Sequence, residues 1–184
     1  MNLYIRFFLN IIKNLFFRKP MSVKDTSVIK LRVLPNDLDL NMHMNNGRYP
    51  TVMDIGRTEY TIRLGLHKVI MKEKLGAVAA GVNISFLKPL NLFASYELHT
   101  KVISWDNMWF YIEQQFVKDG LIMAHAIAKV TFLKGRKKVS PDFVLSKLGE
   151  PIEKPEMPNY LKELIHGEKE MINLVREHNR KIKN

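Results

Sequence analysis

Apolar and polar positions along this 184-residue chain repeat with two different periods, and the changes of period mark its elements. Residues 1–17 carry polar Asn2, Arg6, Asn10, Lys13 and Asn14 at helical spacing, leaving a wide apolar face that includes Phe7, Phe8, Ile11 and Ile12. That pattern predicts an amphipathic helix without the long uncharged run a membrane-spanning helix needs. No small-residue cleavage site follows, which argues against a cleaved signal peptide. The period then becomes two: Ile29, Leu31 and Val33 face one way, Lys30 and Arg32 the other, as in a half-buried strand. Residues 35–46 are a polar loop. From Gly47 the period is helical again, with Tyr49, Val52, Met53, Gly56, Tyr60 and Leu64 on one stripe closed by Gly65. Pro50 sits near the start, where its missing N–H does little harm. Gly56 costs roughly 1 kcal/mol against Ala in mid-helix, so its presence predicts close approach of this helix to a sheet.

Four strand-like runs follow, at about 78–87, 92–105, 108–118 and 121–133, with Asp106-Asn107 and Asp119-Gly120 as tight turns between the later ones. Residues 135–156 read as a basic, proline-containing connection. From about 157 an amphipathic helix places Leu161, Leu164, Ile165, Met171 and Val175 on one side. One strand, one long helix and a four-strand antiparallel meander predict an α+β domain with the helix packed on one sheet face. The expected division is 1–20 as an N-terminal helix, 21–134 as the folded domain, and 135–184 as the connection and C-terminal helix.

Charge refines this picture. The chain carries +11, unevenly: residues 1–30 hold six basic side chains and one acidic, residues 134–147 five and one. Basic ends on a near-neutral middle predict an anionic surface or a phosphorylated ligand as partner. No zinc-finger, RNP-like or helix-turn-helix pattern is present, so no nucleic-acid partner is expected. Lys134, Arg136, Lys137 and Lys138 suit coenzyme A phosphates, a membrane or an import receptor, although a solvated basic turn is the favoured reading. The chain has no cysteine, which excludes disulfides, thiol nucleophiles and thiolate metal sites and suits a reducing cytosol.

The densest chemistry lies in the loop before the long helix, Asn36-Asp37-Leu38-Asp39-Leu40-Asn41-Met42-His43-Met44-Asn45-Asn46-Gly47-Arg48-Tyr49. Its D-x-D-x-N opening fails as a calcium loop, because Met42 occupies the sixth position and Arg48 the twelfth. HExxH, GxSxG and phosphate-loop motifs are absent. What remains is a carboxylate pair just before a helix N-terminus, where free N–H groups stabilise an oxyanion and a carboxylate attacks a carbonyl or activates water. The alternative is structural, with Asp37 and Asp39 closing Asx turns and Asn45 or Asn46 capping the helix. Spacing by itself favours the structural reading.

The string Asp37-x-Asp39-x-x-x-His43-x-Asn45-Asn46-x-x-Tyr49, followed by Asp54-x-Gly56-Arg57, resembles the signature of hotdog-fold thioesterases related to 4-hydroxybenzoyl-CoA thioesterase. That pattern runs D-x-D-x-x-G-H-V-N-N-x-x-Y, then E-x-A-R. Within the group, RVLPNDLDLNMHMNNGRY and Phe86-Leu87-Lys88-Pro89-Leu90 resemble the thioesterase-superfamily-member-6 type. The likeness covers about residues 27–134. It implies a hotdog fold, a long central helix wrapped by an antiparallel sheet of about five strands, with helical extensions at both ends. It also implies acyl-CoA thioester hydrolysis with Asp39 as the catalytic carboxylate and the oxyanion amide near Asn46. His43 and Asn45 would then shape the loop, and Asp54 and Arg57 line or brace the helix. Met42 stands where the pattern has Gly, and Gly56 where it has Ala. No cofactor or metal is expected. The expected partners are an acyl-CoA or acyl carrier thioester, a second copy in a homodimer or dimer of dimers, and a membrane touched through residues 1–17. The expected location is the cytoplasm, at the inner face of such a membrane. A non-catalytic lipid-binding module or membrane-associated scaffold is the alternative.

Overall fold

The computed structural model describes residues 8, 12, 19–149 and 152–183. In the first of two compact units, residues 1–153, the described strands are β1 (Ser27–Arg32), β2 (Leu75–Phe86), β3 (Ser95–Trp105), β4 (Phe110–Lys118), β5 (Leu121–Lys134) and β6 (Lys137–Val139). They form one antiparallel sheet in the order β1-β3-β4-β5-β2, with β6 paired to the end of β5. The helices are α1 (Arg48–Arg63), α2 (Leu66–Glu73) and α3 (Pro141–Ser146).

Alternation along the strands decides which face α1 covers. Leu98 and Thr100 of β3, Phe110, Ile112, Gln114 and Phe116 of β4, and Ala124, Ala126 and Ala128 of β5, at alternate positions along their strands, are all buried. Against them α1 lays the expected stripe of Tyr49, Val52, Met53, Gly56 and Tyr60, all buried. Gly56 does mark the closest approach: a Cβ built there would stand 2.7 Å from Leu98 Cδ2 and Thr100 Oγ1. Tyr49 packs its ring on Phe116 and edge-on to Phe86. Tyr60 donates to the Val23 carbonyl at 2.7 Å and accepts from the Val102 N–H, beside the β3 bulge between Val102 and Ser104. The buried Glu59 carboxylate is met by the Ser27 hydroxyl and by Arg63.

Three elements depart from the sequence expectation. Helix α2 was not anticipated; Gly65 adopts φ 75° and turns the chain so that Leu66 and Val69 are buried again. The basic connection contains β6, folded back on β5 through Gly135, and α3, capped by Ser140 accepting from Phe143 N–H. Trp109 precedes β4 instead of lying within a strand. The expected N-terminal helix lies outside the described residues apart from Phe8 and Ile12, both helical and exposed. Among the described residues no helix is long and apolar enough to cross a membrane. Residues 154–184 form the second unit, containing α4 (Asn159–Lys183), on which Met171 and Val175 are exposed.

Candidate active site

The loop from Leu34 to Gly47 is held by its own backbone. A short 3-10 turn, Pro35–Asp37, precedes a tight reversal in which Asp39 N–H donates to the His43 carbonyl at 2.9 Å and Asn45 N–H to the Asp37 carbonyl at 2.8 Å. Met42 occupies the reversal at φ 61°, a left-handed conformation that a glycine adopts freely and methionine does not. The far side is pinned to the stretch following β2: Met44 N–H donates to Leu90 O, and His43 bridges to Asn91.

The two aspartates have separate environments. Asp37 is buried; its carboxylate accepts from Leu34 N–H at 2.9 Å and lies 3.8 Å from the Arg48 guanidinium. Arg48 also donates to the Asn36 carbonyl at 2.6 Å, tying the loop to the first turn of α1. Asp39 is half-buried. Its Oδ1 accepts from the N–H groups of Asn41 at 2.9 Å and His43 at 3.4 Å, and its Oδ2 has no donor among the described residues. The carboxylate is therefore held by the loop through one of its two oxygens.

At the helix entrance Asn45 Oδ1 accepts from Gly47 N–H at 2.8 Å, and the Asn45 carbonyl accepts from Arg48 N–H at 2.8 Å. Asn45 thus makes the local turn, while Asn46 is exposed and its N–H has no acceptor among the described residues. His43, Asn45, Asn46 and Asp39 are brought together in this loop. Asp54 and Arg57 stand on the second and third turns of α1 and pair with each other, Arg57 reaching on to Gln114 Oε1 at 2.6 Å. Gln114 was missed from the sequence, although one polar residue in the buried series Phe110, Ile112, Gln114, Phe116 was the signal for it. A cavity of about 1080 Å³ runs beside α1, from Arg48 and Thr51 past Asp54 and Arg57 to Leu66 and Ile70. Among the described residues no group of three or more acidic or histidine side chains could hold a metal.

This curled antiparallel sheet, packed on α1, defines a hotdog fold. A solved gentisyl-coenzyme A thioesterase superposes with a TM-score of 0.59 at 19% identity, covering 65% of this chain and 99% of that one. Residues 33–165 match the model of the Thioesterase-like superfamily, and the chain belongs to that family. Among its relatives, Protein THEM6 of Xenopus laevis is 34% identical over 73% of this chain and 63% of its own length. Protein THEM6 of Drosophila melanogaster is 30% identical over 88% of this chain and 83% of its own.

Proposed function

We propose that this chain hydrolyses acyl-CoA thioesters, with Asp39 as the catalytic carboxylate and the Asn46 N–H as oxyanion donor. The observation that carries this reading is the pairing pattern of the loop. Asn45, Gly47 and Arg48 each engage their N–H, Asn46 does not, and Asp39 keeps one carboxylate oxygen unengaged. Family membership supports the reaction class, and the gentisyl-coenzyme A thioesterase, which shares only the fold, is so named for a coenzyme A thioester.

A thioester needs little more than this pair. Asp39 either adds to the carbonyl carbon or takes a proton from a water that adds in its place. The carbonyl oxygen becomes an oxyanion, stabilised by the Asn46 N–H at the positive end of α1. Collapse breaks the carbon–sulfur bond and expels a thiolate, which leaves without the protonation an amine requires; where Asp39 itself has added, the acyl group stays on its carboxylate as a mixed anhydride, which a water then cleaves to the free acid and the restored Asp39. The cavity beside α1, apolar beyond its first turns, receives the acyl group.

One observation favours the alternative of a silent module: Asp39 closes an Asx turn through Asn41, a sufficient structural reason for an aspartate there. The deciding experiment is an acyl-CoA hydrolysis panel run on the wild type beside Asp39→Asn. Equal activity of the two folded proteins overturns the role of Asp39.

A further inference from the structure

The two ends of the cavity beside α1 differ in chemistry. One lies at Arg48 and Thr51, next to the catalytic loop. The other lies past Tyr60, where α2 turns back, and its walls include Leu66 and Ile70 of α2, Phe132 of β5 and Leu145 of α3. The 16 residues of α1 separate these ends, a span of about 24 Å at the helical rise. The volume, about 1080 Å³, stands at the upper limit of small-molecule pockets, roughly 300–1,000 Å³. Length and volume together suit a long, extended acyl chain better than a compact ring.

One polar ring stands among the apolar walls of the far end. His67, the second residue of α2, lines the cavity and is half-buried. Its Nδ1 is shut off from solvent and has no hydrogen-bond partner among the described residues, whereas Nε2 is not shut off. A buried N–H without an acceptor is rarer in proteins than a buried acceptor without a donor, so the ring carries its proton on Nε2. Its accessible edge is therefore a donor. A threonine on the same cavity wall needs no such partner: the Thr51 hydroxyl turns back to the Gly47 carbonyl, a return open to a short side chain and closed to a histidine ring. A hydrocarbon tail packed on His67 would strip water from the donor and offer nothing in exchange. A hydroxyl on that tail accepts from it.

We propose that the acyl group is a long chain hydroxylated at its far end, and that this hydroxyl accepts a hydrogen bond from His67 Nε2. The inference rests on the hydrolase reading above and adds the substrate class. It makes His67 a specificity-determining residue, remote from the reacting carbonyl, that measures chain length and terminal polarity together. A chain too short to span α1 leaves the ring without its partner, and a chain of full length without the hydroxyl leaves the donor dry. Sites that hydrogen-bond a substrate hydroxyl reject the analogue that lacks it for this reason.

Matched substrate pairs test it on the full-length chain. Lauroyl-CoA and stearoyl-CoA are each compared with the ω-hydroxy form of the same chain. In the wild type, kcat/KM for the hydroxylated stearoyl thioester is expected to exceed that of its parent about tenfold or more, with no preference in the shorter lauroyl pair. His67→Phe keeps a ring and removes the donor; it should bring the stearoyl ratio to about one while stearoyl-CoA itself is turned over at a rate close to wild type. His67→Gln, which restores an N–H, should recover part of the preference. A wild type without preference at stearoyl length, an equal preference in the lauroyl pair, or a ratio that survives His67→Phe overturns the proposal. Calorimetric binding of free ω-hydroxystearate and stearate separates this inference from the hydrolase reading. If the wild type binds the hydroxylated acid about tenfold more tightly and His67→Phe abolishes the difference, the subsite stands even where no thioester is turned over. Equal binding of the two acids by the wild type overturns it.

Discussion

Gln114 Nε2 donates to the Met53 carbonyl at 3.0 Å through a gap that exists because Gly56 lacks a side chain; a Cβ on Gly56 would stand 2.9 Å from that nitrogen. The same amide group donates to Thr100 Oγ1 and accepts from Arg57, so one buried side chain ties the centre of the sheet to the middle of α1. Gly56→Ala should therefore destabilise the protein. Alanine gains roughly 1 kcal/mol in helix propensity. The overpacking against Leu98, Thr100 and Gln114 costs about 1–3 kcal/mol, and buried partners on three strand positions leave little room to relax. Urea unfolding decides it: a higher midpoint for Gly56→Ala would show that the neighbours yield.

Asp37 and Asp39 should separate stability from turnover. Asp39→Asn is expected to lower kcat by about 10²–10⁴ with an unchanged melting temperature. Asp37→Ala removes a buried acceptor from Leu34 N–H and a partner of Arg48, costing about 1–3 kcal/mol of stability. The reverse pattern, an unstable Asp39 variant and a merely inactive Asp37 variant, would exchange their roles.

Much of this architecture was legible because burial imposes a period. Ile29 and Val33, the α1 stripe, and the alternating first half of β3 follow the apolar residues closely, whereas β4 and β5 are buried at intervening positions as well. The turn at Asp119-Gly120 was equally legible, since both residues take positive φ, as the favoured two-residue hairpin turn requires. Helix α2 escaped because its eight residues contribute only Leu66 and Val69 to the core, too few to establish a period. Strand β6 was hidden by its charge, since Lys137 and Lys138 enter the sheet as an exposed edge where composition is a weak guide, and α3 by its length, six residues being too few to establish a helical period. In the loop, residue types located the chemistry, but only the hydrogen bonds distinguish the buried Asp37 from the half-exposed Asp39.

Met42→Gly should stabilise the loop. At φ 61° methionine bears a left-handed penalty of about 1–2 kcal/mol, against which glycine loses about 0.4–1 kcal/mol through a more flexible unfolded chain. A net gain below about 1 kcal/mol is expected, read as a small rise in melting temperature. A clear fall would mean that the half-exposed Met42 side chain contributes packing that outweighs the strain.

Burial pushes the Tyr60 hydroxyl up to about 12 from an ordinary value of 10.0. The unfolded chain therefore ionises first as pH rises. Stability should be level up to about pH 10 and fall between there and about 12, by about 2–3 kcal/mol from this residue. Tyr49, raised to about 12 by burial as well, adds to the decline. Tyr60→Phe should be less stable at neutral pH, having lost its bond to the Val23 carbonyl, and should show a shallower alkaline decline. An unaltered decline in that variant would assign the alkaline sensitivity to other groups.

The β2 edge supplies the last prediction. Val78 and Val82 are each 40% exposed, and their strand is bonded to β5 on one side only. Strand-edge lysines prevent pairing because a neighbouring strand would have to desolvate them. They cost little in a monomer, where the edge stays in water. Val78→Lys/Val82→Lys should therefore convert a dimeric wild type into a monomer, measured by light scattering at micromolar concentration. The circular dichroism of the monomer should match that of the parent, since neither valine belongs to the buried core. A variant that remains dimeric would move the contact away from β2, and a monomeric wild type would remove the contact altogether.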